Sequence, residues 1–398
     1  MLSIEKAEKM FVEISCSQEN KHGHIVCGDA FLSRMIDGEN RYVAVLSDGL
    51  GSGVKANVLS TMTASMALNF RLRHEPIERT AITIMNTLPT DSVRNISYST
   101  FSIVDIENEG DTAVMEYDNP DFVFIRNNKN CEITKEVIEI KSPDKPKKIR
   151  LSKLKMFKGD RLIIYSDGVN QSGIGLNQYP FGWEREGLIE FVEETIAENP
   201  EISARDLSKT IIRRAYLNDQ YKAKDDTSCA VIYMREPRKL LICSGPPYNE
   251  QKDKYLADIV ASYPGKKIIC GGTTSMIISR ELNREISMDI DVPMVDLPPV
   301  SEMEGVDLIT EGILTLGAVA QSLDKSIIID NKSKSPEDLI IKLIQESDVI
   351  DIMVGTRINV AHQDPNLPVE LEIRRNVIKK IADILEEKYL KKVELKFI

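Results

Sequence analysis

Short apolar-rich runs at Met10–Ser17, Ala30–Ile36 and Arg41–Ser47 read as strands, and the Asp37-Gly38-Glu39-Asn40 cluster between the last two carries the signal of a tight reversal. From Val54 the rhythm changes. Apolar residues recur every fourth position at Val58, Met62, Met66 and Phe70, which predicts an amphipathic helix with that face inward. A second helix is predicted from Pro76 to about Leu88, with Ile77, Ala81, Ile84, Met85 and Leu88 inward and Pro76 suited to the first turn. Beyond Pro89 the pattern returns to short runs bounded by turn residues: Tyr98–Asp105, Thr112–Tyr117, Phe122–Asn127 and Val137–Ile140. Such strands, joined by short loops, imply a mostly antiparallel sheet. Leu162–Tyr165 predicts another strand, Pro200–Leu217 a helix with Leu207, Ile211 and Ala215 inward, and Lys224–Met234 a closing strand with acidic residues at its start.

After Arg235-Glu236-Pro237-Arg238 strands and helices alternate, so two domains are predicted, 1–236 and 238–398. The second reads as strand Lys239–Cys243, helix Asn249–Tyr263, strand Lys266–Cys270 and a helix opening at Gly271-Gly272-Thr273-Thr274-Ser275 and running toward Leu282. A strand near Ile286–Ile290, helices near Leu308–Leu323 and Pro336–Glu346, a strand at Val349–Val354 and a helix from Asn376 to about Lys388 follow. The expectation is a three-layer α/β domain, with a regulatory or partner-binding role. Its Gly271–Ser275 turn can point backbone amides at a small anionic ligand, and Val354–Pro365 is a second loop assigned to the same edge. Neither full glycine-rich nucleotide fingerprint is present.

Composition narrows the class. A hydrophobic fraction of 42% with 28% charged residues is ordinary for a globular protein, and the net charge of -11 argues against nucleic acid or an anionic membrane as a partner. Cys16, Cys27, Cys131, Cys229, Cys243 and Cys270 show no zinc spacing and read as reduced thiols, which points to the cytoplasm. Glu5, Lys6, Glu8 and Lys9 exclude a signal-peptide core over Met1–Met10, and no apolar run has the length of a membrane span. A homodimer is one assembly the chain allows.

The candidate chemistry is acidic. If the hairpin loop is Asp37–Asn40 or its central pair, Asp29 lies directly opposite Asp48; a turn centred on Asp37-Gly38 makes them diagonal neighbours, and both registers leave the carboxylates roughly 5–8 Å apart. Like charges so placed are destabilising unless a cation sits between them, and the turn at Gly49 and Gly51 lets a backbone carbonyl approach one. The strand Leu162–Tyr165 ends in Ser166-Asp167-Gly168 as Val43–Leu46 ends in Ser47-Asp48-Gly49. An antiparallel last strand then brings Asp225, at its start, to the same edge as Asp167, Asp48 and Asp29. Oxygen-only ligands favour Mn²⁺ or Mg²⁺ over Zn²⁺, and two such ions can share and acidify a water for attack on phosphorus.

At Cys27–Phe31 (CGDAF), Ser47–Ala56 (SDGLGSGVKA), Tyr165–Val169 (YSDGV) and Lys224–Ser228 (KDDTS), the chain resembles the metal-dependent protein phosphatase (PPM) family and its SpoIIE-like bacterial branch. The resemblance implies an α-β-β-α sandwich for the N-terminal domain, within an α/β chain overall, and a protein serine/threonine phosphatase acting on a phosphoprotein. It also implies two Mn²⁺ or Mg²⁺ ions. Asp48 would bridge them, Asp29 and the Gly49 carbonyl would bind one, Asp167 and Asp225 would bind the other, and Asp226 would stand behind the ligands. Asp48 and Asp167 would thereby serve catalysis through the metal-bound water. One departure is Thr227-Ser228, where the family usually has an apolar residue before the hydroxyl residue. Helices after Asp48 are a regulatory switch in that branch.

Overall fold

The computed structural model describes residues 10–36, 41–87, 99–107, 110–140, 147–288, 300–325, 333–357, 367–389 and 391–398, which form two compact units, Met1–Glu236 and Pro237–Ile398. The turn at 37–40 and most of the loop at 354–365 lie outside the described residues.

The first unit runs β1 (Phe11–Glu19), β2 (Asp29–Ile36), β3 (Arg41–Gly49), α1 (Val54–Leu72), α2 (Ile77–Thr87), β4 (Ser99–Glu107), β5 (Asp111–Tyr117), β6 (Val123–Arg126), β7 (Lys129–Asn130), β8 (Glu136–Ile140), β9 (Lys147–Lys155), β10 (Arg161–Tyr165), α3 (Asp167–Asn170), α4 (Glu184–Glu198), α5 (Ala204–Asn218) and β11 (Thr227–Arg235). One sheet has the order β1-β11-β10-β6-β7 and the other β2-β3-β4-β5-β9-β8. Their inner faces meet in a core that includes Val12, Leu46, Val104, Phe124, Ile164 and Ile232. On the outside, Ala64, Leu68 and Ile84 of α1 and α2 pack on Val43, Val45 and Ile103, while Leu188, Val192, Leu207 and Ile211 of α4 and α5 pack on Ile163 and Val231. The result is an α-β-β-α sandwich.

Helix α1 follows only half of the face its apolar spacing predicts: Met66 and Phe70 pack half-buried against the core, but the first turns present a stripe of small residues instead. Ala56, Ser60, Thr63, Ala64 and Ala67 are buried, whereas Val58 and Met62 are half exposed at 50% and 51%. Small residues win because the helix lies against the sheet at backbone distance: a Cβ on Gly49 would stand 2.1 Å from the Ala56 carbonyl oxygen. The far end of α1 is held electrostatically. Arg71 Nε donates to Asp105 Oδ2 at 2.6 Å, and Arg41 donates to the same carboxylate through Nε at 2.9 Å and a terminal nitrogen at 2.7 Å. All three side chains are buried, so α1, β3 and β4 share one ionic anchor.

The second unit contains β12 (Lys239–Ser244), α6 (Asp253–Ser262), β13 (Lys266–Cys270), α7 (Gly272–Leu282), β14 (Ile286–Met288), β15 (Ser301–Met303), β16 (Val306–Thr310), α8 (Ile313–Asp324), α9 (Pro336–Gln345), β17 (Val349–Val354), α10 (Leu367–Glu387) and β18 (Lys392–Phe397). Its sheet has the order β14-β15-β16-β13-β12-β17-β18, with β16, β13, β12, β17 and β18 parallel. Leu256, Val260 and Ile278 of α6 and α7 cover one face, and helices α8, α9 and α10 cover the other with residues such as Leu316, Ile341 and Ile381. The stretch expected as one helix over Leu308–Leu323 is the end of β16 followed by α8, because Gly312 caps the helix and Leu308–Thr310 pair with β13. The last helix starts at Leu367, ahead of the expected Asn376.

Candidate metal centre

The pairing of β2 with β3 closes at Ile36↔Arg41, which sets Asp29 directly opposite Asp48. Of the two registers open to the sequence, the direct one is adopted. Asp167 follows β10 as the first residue of α3, and Asp225 and Asp226 immediately precede β11, which runs antiparallel to β10 with Tyr165↔Cys229 in register. The ends of both sheets therefore carry carboxylates. A serine joins them: Ser228 Oγ on β11 donates to Asp29 Oδ2 at 2.6 Å. Ser166 Oγ accepts from the Ser228 amide at 2.9 Å and Gln18 Nε2 donates to Ser228 Oγ at 2.9 Å, so the serine that positions Asp29 is itself positioned from two sides.

Glycines beside the aspartates let the segments close up. A Cβ on Gly28 would meet Asp226 Oδ2 at 2.7 Å, and one on Gly168 would meet the Asp226 carbonyl oxygen at 2.3 Å. Helix α1 joins the same cluster, with Ser60 Oγ donating to the Gly28 carbonyl at 2.6 Å and Asn57 Nδ2 to the Cys27 carbonyl at 2.9 Å. Ser99 Oγ donates to the Asp48 carbonyl at 2.8 Å. Sequence reasoning missed Gln18, Ser60, Ser99, Ser166 and Ser228 as supporting groups, because a serine's partners lie far along the chain. Only Ser166 and Ser228 stood in motifs, YSDGV and KDDTS, and neither motif shows what the hydroxyl holds.

The electrostatics record crowding of negative charge. Burial pushes the Asp29 carboxyl up to about 6, although the Ser228 hydroxyl opposes the rise. Burial, and then the charges of Asp29 and Asp167, hold Asp48 well above the usual carboxylate range, while burial and then Asp225 raise Asp167. Asp225 and Asp226 divide their surroundings. Asp225 is half-buried, 3.5 Å from Lys21 Nζ, whereas Asp226 is 4% exposed and accepts the Lys21 amide at 3.0 Å through Oδ1. Lys21, another residue outside the sequence motifs, thus faces both.

Among the described residues no group of three or more Asp, Glu, His or Cys side chains stands closed up as a ready-made metal cage. The donors present nevertheless suit hard divalent ions. They are carboxylate oxygens, two of them (Asp29 Oδ1 and Asp226 Oδ2) buried with no hydrogen-bond partner among the described residues, and a cation would relieve the repulsion among Asp29, Asp48 and Asp167. Nothing in the set favours zinc.

Two facing sheets flanked by helices, with aspartates at one common edge, define a phosphatase fold of the PPM type. The family model described as Stage II sporulation protein E (SpoIIE) matches residues 38–235, so this segment is a SpoIIE-like domain of the metal-dependent protein phosphatase type. No curated protein matches the chain. Among solved structures, the phosphatase domain of SpoIIE from Bacillus subtilis is 16% identical with a TM-score of 0.43, covering 57% of this chain and 94% of that one. The S. agalactiae serine/threonine phosphatase is 13% identical with a TM-score of 0.41, covering 56% of this chain and 99% of that one. The SiaA-PP2C domain of Pseudomonas aeruginosa is 14% identical with a TM-score of 0.41, covering 55% and 85%. The family match and the topology carry the assignment, not these distant likenesses. Among the described residues no helix is long and apolar enough to cross a membrane.

Proposed function

We propose that the first unit is a protein serine/threonine phosphatase that hydrolyses phosphoserine and phosphothreonine monoesters with two Mn²⁺ or Mg²⁺ ions held by Asp29, Asp48, the Gly49 carbonyl, Asp167 and Asp225. The observation that carries this reading is the direct Asp29–Asp48 pairing, joined through Ser228 to the strand that Asp225 precedes, inside a segment matched by the SpoIIE family. The bound ions would supply positive charge to the phosphoryl oxygens and make a water more acidic. The chain's own part is placement. Ser228 fixes one oxygen of Asp29, Ser99 fixes the Asp48 carbonyl, and Gln171 Nε2 donates to Asp167 Oδ2 at 3.1 Å. Asp226 packs under Gly28 and orders the Lys21 segment, a supporting role.

Regulation fits the same geometry. Because Gly49 and the Cys27-Gly28 carbonyls rest on α1, a shift of that helix would move two proposed ligands together, the Gly49 carbonyl and Asp29, which follows Gly28. We assign the second unit a regulatory or docking part, and the six free cysteines suit a protein working in the cytoplasm.

The test is phosphate release from a phosphoserine peptide and from an aryl phosphate, with and without manganese. Manganese-dependent turnover of the peptide supports the reading; turnover of the aryl ester alone favours a small-metabolite phosphatase, and none of either favours a phosphoprotein-binding module. Asp225→Asn is expected to lower turnover about a hundredfold and Asp226→Asn about tenfold. The reverse order in a side-by-side assay would move the ligand role to Asp226.

A further inference from the structure

At the carboxyl edge of the second unit's sheet, two helices on opposite faces begin at one point. Helix α7 follows β13, α8 follows β16, and these strands are neighbours with Cys270↔Thr310 in register. Each helix is capped by a glycine with no side-chain hydrogen bond, Gly271 and Gly312. The caps touch: a Cβ on Gly312 would lie 3.6 Å from the Gly271 Cα. Two sets of first-turn amides, each at the positive end of a helix dipole, therefore converge.

Buried hydroxyls provide the second observation. The third residue of each helix is a threonine, Thr274 at 1% and Thr315 at 0% exposure, and neither Oγ1 has a hydrogen-bond partner among the described residues. Thr274 Oγ1 is directed back at the cap, 3.5 Å from where a Gly271 Cβ would stand. Ser244 Oγ, on β12 opposite Cys270, is likewise buried without such a partner. A buried hydroxyl left unbonded is destabilising, so two at matching positions beside two bare helix caps mark a place built for an acceptor. Space remains at the mouth, since nothing lies within 4 Å of a Cβ on Gly272.

We propose that the paired N-termini of α7 and α8 form a binding site for a phosphate group, free or carried by a small metabolite, held by first-turn amides and the Thr274 and Thr315 hydroxyls. This widens the single Gly271–Ser275 turn that the sequence singles out to a site made by two helices. It is independent of the phosphatase reading.

Calorimetry of the full chain in chelator, with inorganic phosphate and with ribose 5-phosphate as separate probes, tests it. At least one probe is expected to bind and to raise the melting temperature. The double variant Thr274→Val/Thr315→Val, which keeps side-chain volume, is expected to weaken binding about tenfold or more without lowering ligand-free stability. Gly272→Val is expected to block the mouth with the same selectivity. Binding of neither probe, or binding unchanged in both variants as phosphate lodged at the acidic edge of the first unit would give, overturns the proposal. So does a drop in ligand-free stability in the double variant, which would show the hydroxyls bonded within the protein.

Discussion

Asp48→Asn is expected to reduce metal-supported phosphoester hydrolysis by about a hundredfold or more while leaving the metal-free protein as stable as before or more so. The two effects have one cause. Burial and the charges of Asp29 and Asp167 push the Asp48 carboxyl toward its neutral form, and asparagine is neutral with the same shape. Removing that charge relieves repulsion in the metal-free state and removes the proposed bridge between two ions. Melting curves with and without manganese separate this from a folding defect: the wild type should gain stability with metal, and Asp48→Asn should lose most of that gain. An unaltered metal-dependent gain in the variant would place the ions elsewhere.

Asp105→Asn is expected to destabilise the first unit by about 3–5 kcal/mol, because it leaves the buried Arg41 and Arg71 guanidinium groups without their shared carboxylate. Glu107, 3.0 Å from Arg41 Nε and 3.7 Å from Arg71, is half exposed and compensates for only part of the loss. The anchor holds the last turn of α1, whose first turns rest on Gly49 and Gly28, so the damage should spread to the metal edge. Urea unfolding of the full chain measures it. A loss below about 1 kcal/mol would mean that water or Glu107 takes over both cations.

The hairpin and the strand-end aspartates were legible because both depend on short-range rules: a turn fixes register, and register fixes which side chains face each other. Helix α1 was legible as a helix but only partly in its orientation. Hydropathy favours Val58 and Met62 as part of the buried stripe, yet the backbone contact of Ala56 with Gly49 and the hydrogen bond of Ser60 to the Gly28 carbonyl turn small residues inward there. Helix α4 escaped notice because its inward residues, Leu188, Val192 and Ile196, are few and set among glutamates. Strands β9 and β18 are rich in lysine on their exposed positions, which hides the apolar alternate residues. The convergence of Gly271 with Gly312 was invisible for a different reason: Leu308–Leu323 read as one helix, which hides the strand end at Thr310 and the cap at Gly312.

Metal-dependent phosphoester hydrolysis is the activity we propose for the acidic edge of the first unit. The most direct measurement is phosphate release from a phosphoserine peptide by the purified full chain across a manganese titration, with a chelator control. Turnover that rises from the chelator baseline and saturates with manganese is the predicted result. Turnover equal in chelator and manganese, or no turnover at any manganese concentration, would contradict it.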